Sequence, residues 1–193
     1  MSQPAQETRA KPVRKRAFQA PQPAPALANA DDPSALLASM YRRIWDTSMH
    51  DLPFVNPALS VEALGFRRWQ GDWVGAVVTP WFINLFVVPG GGQLWSDLPG
   101  GDRCKIVFPL GELEFIADND ASAEIPAHQY CPLFAPPSQF GSQEAARAAA
   151  EEALRVLFIA PAPAEPEPSS TAQCAPDQRV EARRAFLRRV GGR

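Results

Sequence analysis

Proline decides which parts of this chain can fold. The 193 residues hold 21 prolines, about twice the number that an average usage near 5% would give. They crowd into "PQPAPALA" at 21–28 and "APAPAEPEP" at 160–168. Each proline fixes φ and removes a backbone donor, so closely spaced prolines build neither ladder nor helix and read as extended linker. This predicts a disordered tail over residues 1–30, one folded domain over 31–160, and a linker with a C-terminal segment over 161–193.

Charge divides along the same lines. Residues 1–30 carry Arg9, Lys11, Arg14, Lys15 and Arg16 against Glu7, and residues 177–193 carry six arginines against Asp177 and Glu181, so each flank is near +4. Residues 31–160 hold eight basic and sixteen acidic residues, a net of about −8. An acidic domain argues against nucleic acid as its ligand, because phosphate binding needs a basic face. It also permits long-range attraction between the domain and a basic tail or partner. No apolar run approaches the ~18 residues of a membrane span, and the basic N-terminus lacks the apolar core of a secretory signal. Neither stable membrane insertion nor export is expected. Three cysteines, Cys104, Cys131 and Cys174, make no disulfide framework, and a cytoplasmic location is the simplest reading.

Within the domain the pattern reads helix, strands, helix. Asp32-Pro33 opens a helix in which Leu36, Leu37, Met40, Tyr41 and Ile44 recur at helical spacing, ending near residues 50–53. "LSVEALGFRRWQ" (59–70) turns at Gln70-Gly71-Asp72 and resumes as "WVGAVVT", a hairpin signal. Phe86–Val88 extends a third strand. Cys104, Ile106 and Phe108, then Leu113 and Phe115, alternate with polar residues and predict a second hairpin with one wet face. "HQYCPLF" (128–134) reads as a further strand or an extended loop. From Ser142 a last helix lines up Ala146, Ala150, Ala153, Leu154 and Leu157, with Arg147, Glu151 and Arg155 as a charge ladder on another side. The expected fold is α+β: a single domain with a mostly antiparallel sheet and helices packed on one face.

Catalytic chemistry is hard to find. His50 and His128 are the only histidines, and a lone histidine beside an apolar segment is usually structural. Cys104, Cys131 and His128 supply three potential metal ligands without zinc-site spacing. There is no G-x-S-x-G elbow, and "GGG" at 90–92 lacks a nucleotide-binding fingerprint. Glu112 and Glu114 share a strand face that reads as solvated. No catalytic residue, cofactor or metal is assigned, and binding remains.

"LPFVNPALSVEALGF" (52–66), "GAVVTPWFINLFVVP" (75–89), "PLGELEF" (109–115) and "YCPLFAPPSQF" (130–140), in this order, resemble the HybE family, also called HupJ or HoxT. These are assembly chaperones of [NiFe]-hydrogenases. The resemblance covers most of residues 33–158 and leaves the proline-rich flanks outside it. It implies a small, non-catalytic, cytoplasmic bacterial factor with an α+β fold. Its implied client is the hydrogenase small-subunit precursor, held before twin-arginine export, with the large subunit and other maturation factors as further candidates.

On that reading "TPWF" gains a purpose. Pro80 denies a donor and breaks the strand, leaving Trp81, Phe82 and Asn84 to meet a client; Tyr130, Leu133, Phe134 and Phe140 would form a second wall. Two outcomes stay open: rings held out as interface anchors, or rings plugging the core. Near the C-terminus "ARRAFLRR" (182–189) matches a twin-arginine motif at Arg183, Arg184, Phe186 and Leu187, with Arg188 in place of lysine and Ala182 departing from serine or threonine. It reads either as a mimic of the client's signal or as a basic amphipathic helix. The rival functions are a thiol or metal-handling accessory protein using Cys104, Cys131 and His128, and a scaffold whose proline-rich arms bind polyproline readers.

Overall fold

The computed structural model describes residues 25–160. Helix α1 (Ser34–Ile44) continues into a π-helical turn (Trp45–Met49) and leads to strands β1 (Glu62–Trp69), β2 (Asp72–Val78), β3 (Ile83–Val88), β4 (Arg103–Phe108), β5 (Gly111–Asn119) and β6 (Ala127–Phe134), then to helix α2 (Gln143–Leu157). The strands form one sheet in the order β1-β2-β3-β6-β5-β4, and every pairing is antiparallel. This is the expected α+β class. The segment around residues 128–134 proves to be a central strand, β6, between β3 and β5.

Local chemistry explains the turns. Gln70 (φ 48°) and Gly71 (φ 91°) both lie at positive φ, the two-residue hairpin geometry that matches strand twist. Asp32 accepts the Ser34 amide at 2.8 Å and so starts α1. Ser142 caps α2 by accepting the Ala145 amide at 3.3 Å.

The two helices do not share a face, which corrects the expected arrangement. In β2 and β3, Val74, Ala76, Val78, Ile83, Leu85 and Val87 face α2, where Ala146, Ala150, Ala153, Leu154 and Leu157 are buried. Their neighbours Val77, Phe86 and Val88 face the other way, toward Leu37, Met40 and Tyr41 of α1. Every residue of β3 is buried. A strand covered on both faces reads as an unbroken apolar run, which is what "INLFVV" shows. The outer strand β4 keeps the alternation of a sheet with one wet side, and there Arg103–Glu114 and Lys105–Glu112 pair in solvent.

The expected charge ladder on α2 is also replaced. Arg147 reaches Glu62 of β1 at 2.8 Å and Arg155 pairs with Glu152 at 2.6 Å.

The glycine loop after β3 has a structural task. Asp72, fully buried, accepts the amides of Gly90 (2.7 Å), Gly92 (2.9 Å), Leu94 (2.9 Å) and Trp95 (3.0 Å). Burial alone would raise its carboxyl pKa, but four converging N–H groups outweigh it and hold the group below the ordinary range. Gly92 is required because a Cβ there would sit 2.3 Å from the Gln70 carbonyl oxygen. The loop is thus zipped to the β1–β2 turn. Arg68 reinforces it, donating to the carbonyls of Gly71 (2.7 Å), Gly90 (2.9 Å) and Ala30 (2.8 Å).

Candidate functional site

The β2–β3 connection is the "TPWF" turn. Buried Thr79 organises it: its amide donates to the Phe82 carbonyl at 2.8 Å, and its Oγ1 accepts the Phe82 amide at 2.9 Å and the Trp81 amide at 3.2 Å. The Pro80 carbonyl accepts the Asn56 amide at 2.7 Å. Every polar group named here has a partner, so the turn carries its two large rings on a fully hydrogen-bonded backbone.

Those rings join a cluster on the α1 side of the sheet. Trp81 stacks on Trp45 of the π-helical turn, with centroids 6.1 Å apart and planes 5° from parallel. Phe82 meets Tyr41 edge-on at 5.2 Å, Tyr41 meets Phe86 at 5.8 Å, and Phe86 stacks on His128 at 5.2 Å. Tyr130 closes the row, 6.4 Å from both Phe86 and His128. Phe86 and Tyr41 are buried, whereas Trp45, Trp81, Phe82 and Tyr130 are half-buried. The rings are therefore neither a sealed core plug nor free appendages. They are anchored at one edge and open to solvent at the other.

Polar groups are embedded in this cluster. His128 Nε2 lies 3.3 Å from the Tyr41 hydroxyl and 3.7 Å from Asp118 Oδ2. Burial pushes the imidazole pKa down, against the attraction of Asp118. Burial, aided by Asp118, pushes the Tyr41 phenol up. Both are neutral near pH 7, and the histidine works as a structural ring. Asn84 is buried on this same side, and its Oδ1 accepts no hydrogen bond among the described residues. On the backbone, Asn84 pairs with Pro132, which has no N–H, and the β3–β6 register slips between Ile83 and Asn84.

Of the sequence-predicted residues, Trp81, Phe82 and Tyr130 come together, with Asn84 beneath them. Leu133 does not join them: it is buried in the α2-side core, since it stands three residues beyond Tyr130 on a strand whose sides alternate. Phe134 and Phe140 form their own edge-to-face pair at 5.0 Å against that core. Asn56 links this pair to the turn, because its Nδ2 donates to the carbonyls of Pro137 (3.0 Å) and Phe140 (2.8 Å) while its amide holds Pro80. Arg183, Arg184, Phe186, Leu187 and Arg188 lie outside the described residues, as do Cys174 and most of both flanks. Sequence reasoning missed Trp45, one helical turn beyond Tyr41 on the α1 stripe, and the bridge made by Asn56.

The thiol and metal alternative meets a geometric obstacle. His128 faces α1, whereas Cys131 and Cys104 belong to the α2-side core. Three residues apart on one strand, His128 and Cys131 point to opposite sides of the sheet and cannot share an ion. Burial, with help from Glu114, also raises the Cys104 pKa, away from a reactive thiolate. Among the described residues no group of three His, Cys, Asp or Glu side chains converges.

Fold and site together define a class: a single-domain α+β protein with a core on each side of its sheet, one under α2 and one under α1, the latter bearing a row of half-buried rings. The family follows from comparison with known proteins. The model of the [NiFe]-hydrogenase assembly chaperone HybE family matches residues 32–189, and the chain belongs to that family. The match runs past the folded domain and takes in the "ARRAFLRR" segment, correcting the expectation that both flanks lie outside it. The hydrogenase expression/formation protein HupJ of Bradyrhizobium diazoefficiens is 43% identical over 124 residues, which is 64% of this chain and 70% of that protein. A probable rubredoxin HupJ of Rhodobacter capsulatus is 39% identical over 127 residues, 66% of this chain and 45% of the relative, so the chain spans less than half of that protein's length. The solution structure of HybE from Escherichia coli superposes with a TM-score of 0.56 at 25% identity, covering 78% of this chain and 93% of the other.

Proposed function

We propose that this protein is a non-catalytic chaperone acting in the cytoplasm on the small-subunit precursor of a [NiFe]-hydrogenase before twin-arginine export, and that residues 31–160 are the client-binding unit. The observation that carries this reading is the Trp45–Trp81 stack with Phe82 and Tyr130, half-exposed rings brought together from the π-helical turn, the β2–β3 turn and β6. Tryptophan and tyrosine held in place at low entropic cost are the usual anchors of protein interfaces. Carboxylates stand at both ends of the row. Asp118 is beside His128, and Asp51 pairs with His50, whose ring meets Trp45 edge-on at 6.3 Å. An arginine-rich, apolar signal fits such a surface.

The test is a titration of the full chain against the small-subunit precursor, with and without its twin-arginine signal, beside Trp81→Ala. Binding that requires the signal and weakens at least about tenfold (~1.4 kcal/mol) in a folded Trp81→Ala supports the reading. Unchanged binding in that variant moves the client off this face, and binding without the signal moves the contact to the folded subunit.

A further inference from the structure

We propose that the chain carries its own ligand for this face: residues 182–189, "ARRAFLRR", dock in cis on the aromatic row and hold it until a client displaces them. The inference rests on the client-face reading for its consequence, but its physical basis is separate.

Complementarity is the first argument. The segment sets two pairs of guanidinium groups, Arg183-Arg184 and Arg188-Arg189, on either side of Phe186-Leu187. The face offers the same pattern in reverse, with half-exposed rings in the middle and carboxylates at each end. Of these, Asp118 is half-exposed beside His128, and Asp51 lies beyond Trp45. Arginine stacks on aromatic rings as well as pairing with carboxylates, so both parts of the segment find partners. On this side Arg43 of α1 is already held by Glu124 through two hydrogen bonds, and Arg68 is engaged over Trp73. The whole of 31–160 is near −8 while residues 177–193 are near +4, which draws the segment toward the domain.

Reach is the second argument. Twenty-one residues separate Ala160, the last described residue, from Ala182. Extended at about 3.1 Å per residue they could span roughly 65 Å, against ~30–40 Å across a domain of this size. The segment can therefore pass from the end of α2 round the sheet edge to the α1 side. A tether of this length presents its ligand at roughly millimolar concentration, enough to fill a site of ~100 µM intrinsic affinity about tenfold over. The family match runs to residue 189 and so spans the segment.

The experiment compares the full chain with Arg183→Glu/Arg184→Glu/Phe186→Ala by amide hydrogen exchange. In the substituted chain, exchange should quicken several-fold over residues 41–50 and 80–86, with α2 unchanged. Affinity for the small-subunit precursor should rise about tenfold. A synthetic peptide of residues 178–193, added to the substituted chain, should restore the protection. Identical exchange in the two chains overturns the proposal, whatever the client does. Protection that disappears on dilution also overturns the cis form, because the segment then sits on a second copy. Faster exchange with no client binding in either chain leaves the docking intact and refutes the client-face reading instead.

Discussion

The two sides of the sheet are built from the same strands and finished differently. On the α2 side, Val74, Ala76, Leu85 and Val87 pack with Ala146, Ala150 and Ala153, and Phe108 and Phe115 complete the buried core. Small residues on the helix let it approach the sheet closely, and larger apolar chains fill what remains. On the α1 side a phenol and an imidazole lie among the packed side chains, and Trp45, Trp81, Phe82 and Tyr130 form one continuous half-buried row. One face is a closed core that sets stability. The other holds large anchors in fixed positions while leaving area for a partner to bury. The difference teaches where to look for function: on the side that folding leaves unfinished.

That contrast is broken most directly by substitution on the closed side. Leu85→Ala should cost ~2–5 kcal/mol in urea unfolding, because Leu85 has no solvent exposure and its neighbours cannot collapse into the gap. Client affinity in the remaining folded protein should not change. A loss of affinity without a loss of stability would mean that the two faces are coupled.

A second substitution separates stability from either face. Asp72 sits at the far end of the β1–β2 hairpin from the "TPWF" turn, and Asp72→Ala leaves four loop amides without their acceptor. A cost of ~2–4 kcal/mol follows from charge-assisted bonds of this kind. The sign of its pH dependence is fixed by geometry. A carboxyl held below its ordinary range contributes stability above its unfolded pKa of about 3.9, lost as pH falls through the lower folded value. The urea midpoint of the parent should therefore fall in acid more steeply than that of Asp72→Asn. Equal slopes would show that another group carries the acid sensitivity.

Trp81→Ala sharpens the comparison from the open side. A half-exposed ring contributes less to folding than a sealed one, so the loss should be ~1–3 kcal/mol, below that of Leu85→Ala. A larger loss would return Trp81 to the core.

Much of this was legible before any coordinates. The Gln70-Gly71 turn, the alanine stripe of α2 and the alternation in β4 and β5 are local signals, each written within a few residues. The helix faces were not read, although the unbroken run "INLFVV" carries the mark of two-sided burial. Which helix covers which side depends on contacts between α1 and strands some forty residues later, and no periodicity records that. Asp72 and Asn56 were missed for a related reason. The bonds that matter here run from Asp72 and from the Asn56 Nδ2 to backbone groups 18 to 84 positions away, and no local pattern announces them. Trp81 and Phe82 were located correctly in a turn, but their half-burial depends on Tyr41 and Trp45, again distant in sequence. Leu133 was assigned to the client surface by its place in an aromatic run, and strand alternation sends it inward.

The smallest effect tests whether the open face is as firmly built as the closed one. His128 is buried, and burial outweighs Asp118 in pushing its pKa down. A histidine with a depressed folded pKa contributes stability that is fully present above about 6.5 and declines as pH falls toward the folded value, because the unfolded chain takes up the proton first. The groups that meet the ring are Tyr41, Asp118, Phe86 and Tyr130, and only Asp118 among them carries charge near neutrality to oppose this. Stability measured from pH 8 to 5 should fall for the parent and fall less for His128→Gln. His50 is exposed beside Asp51, remains in both chains, and cancels in the comparison. If the slopes coincide, the imidazole is reached by water and the aromatic row is looser than its ring contacts indicate. If they diverge, the half-open face is as tightly ordered around His128 as the α2-side core is around Leu85, and its exposed rings are preset for binding.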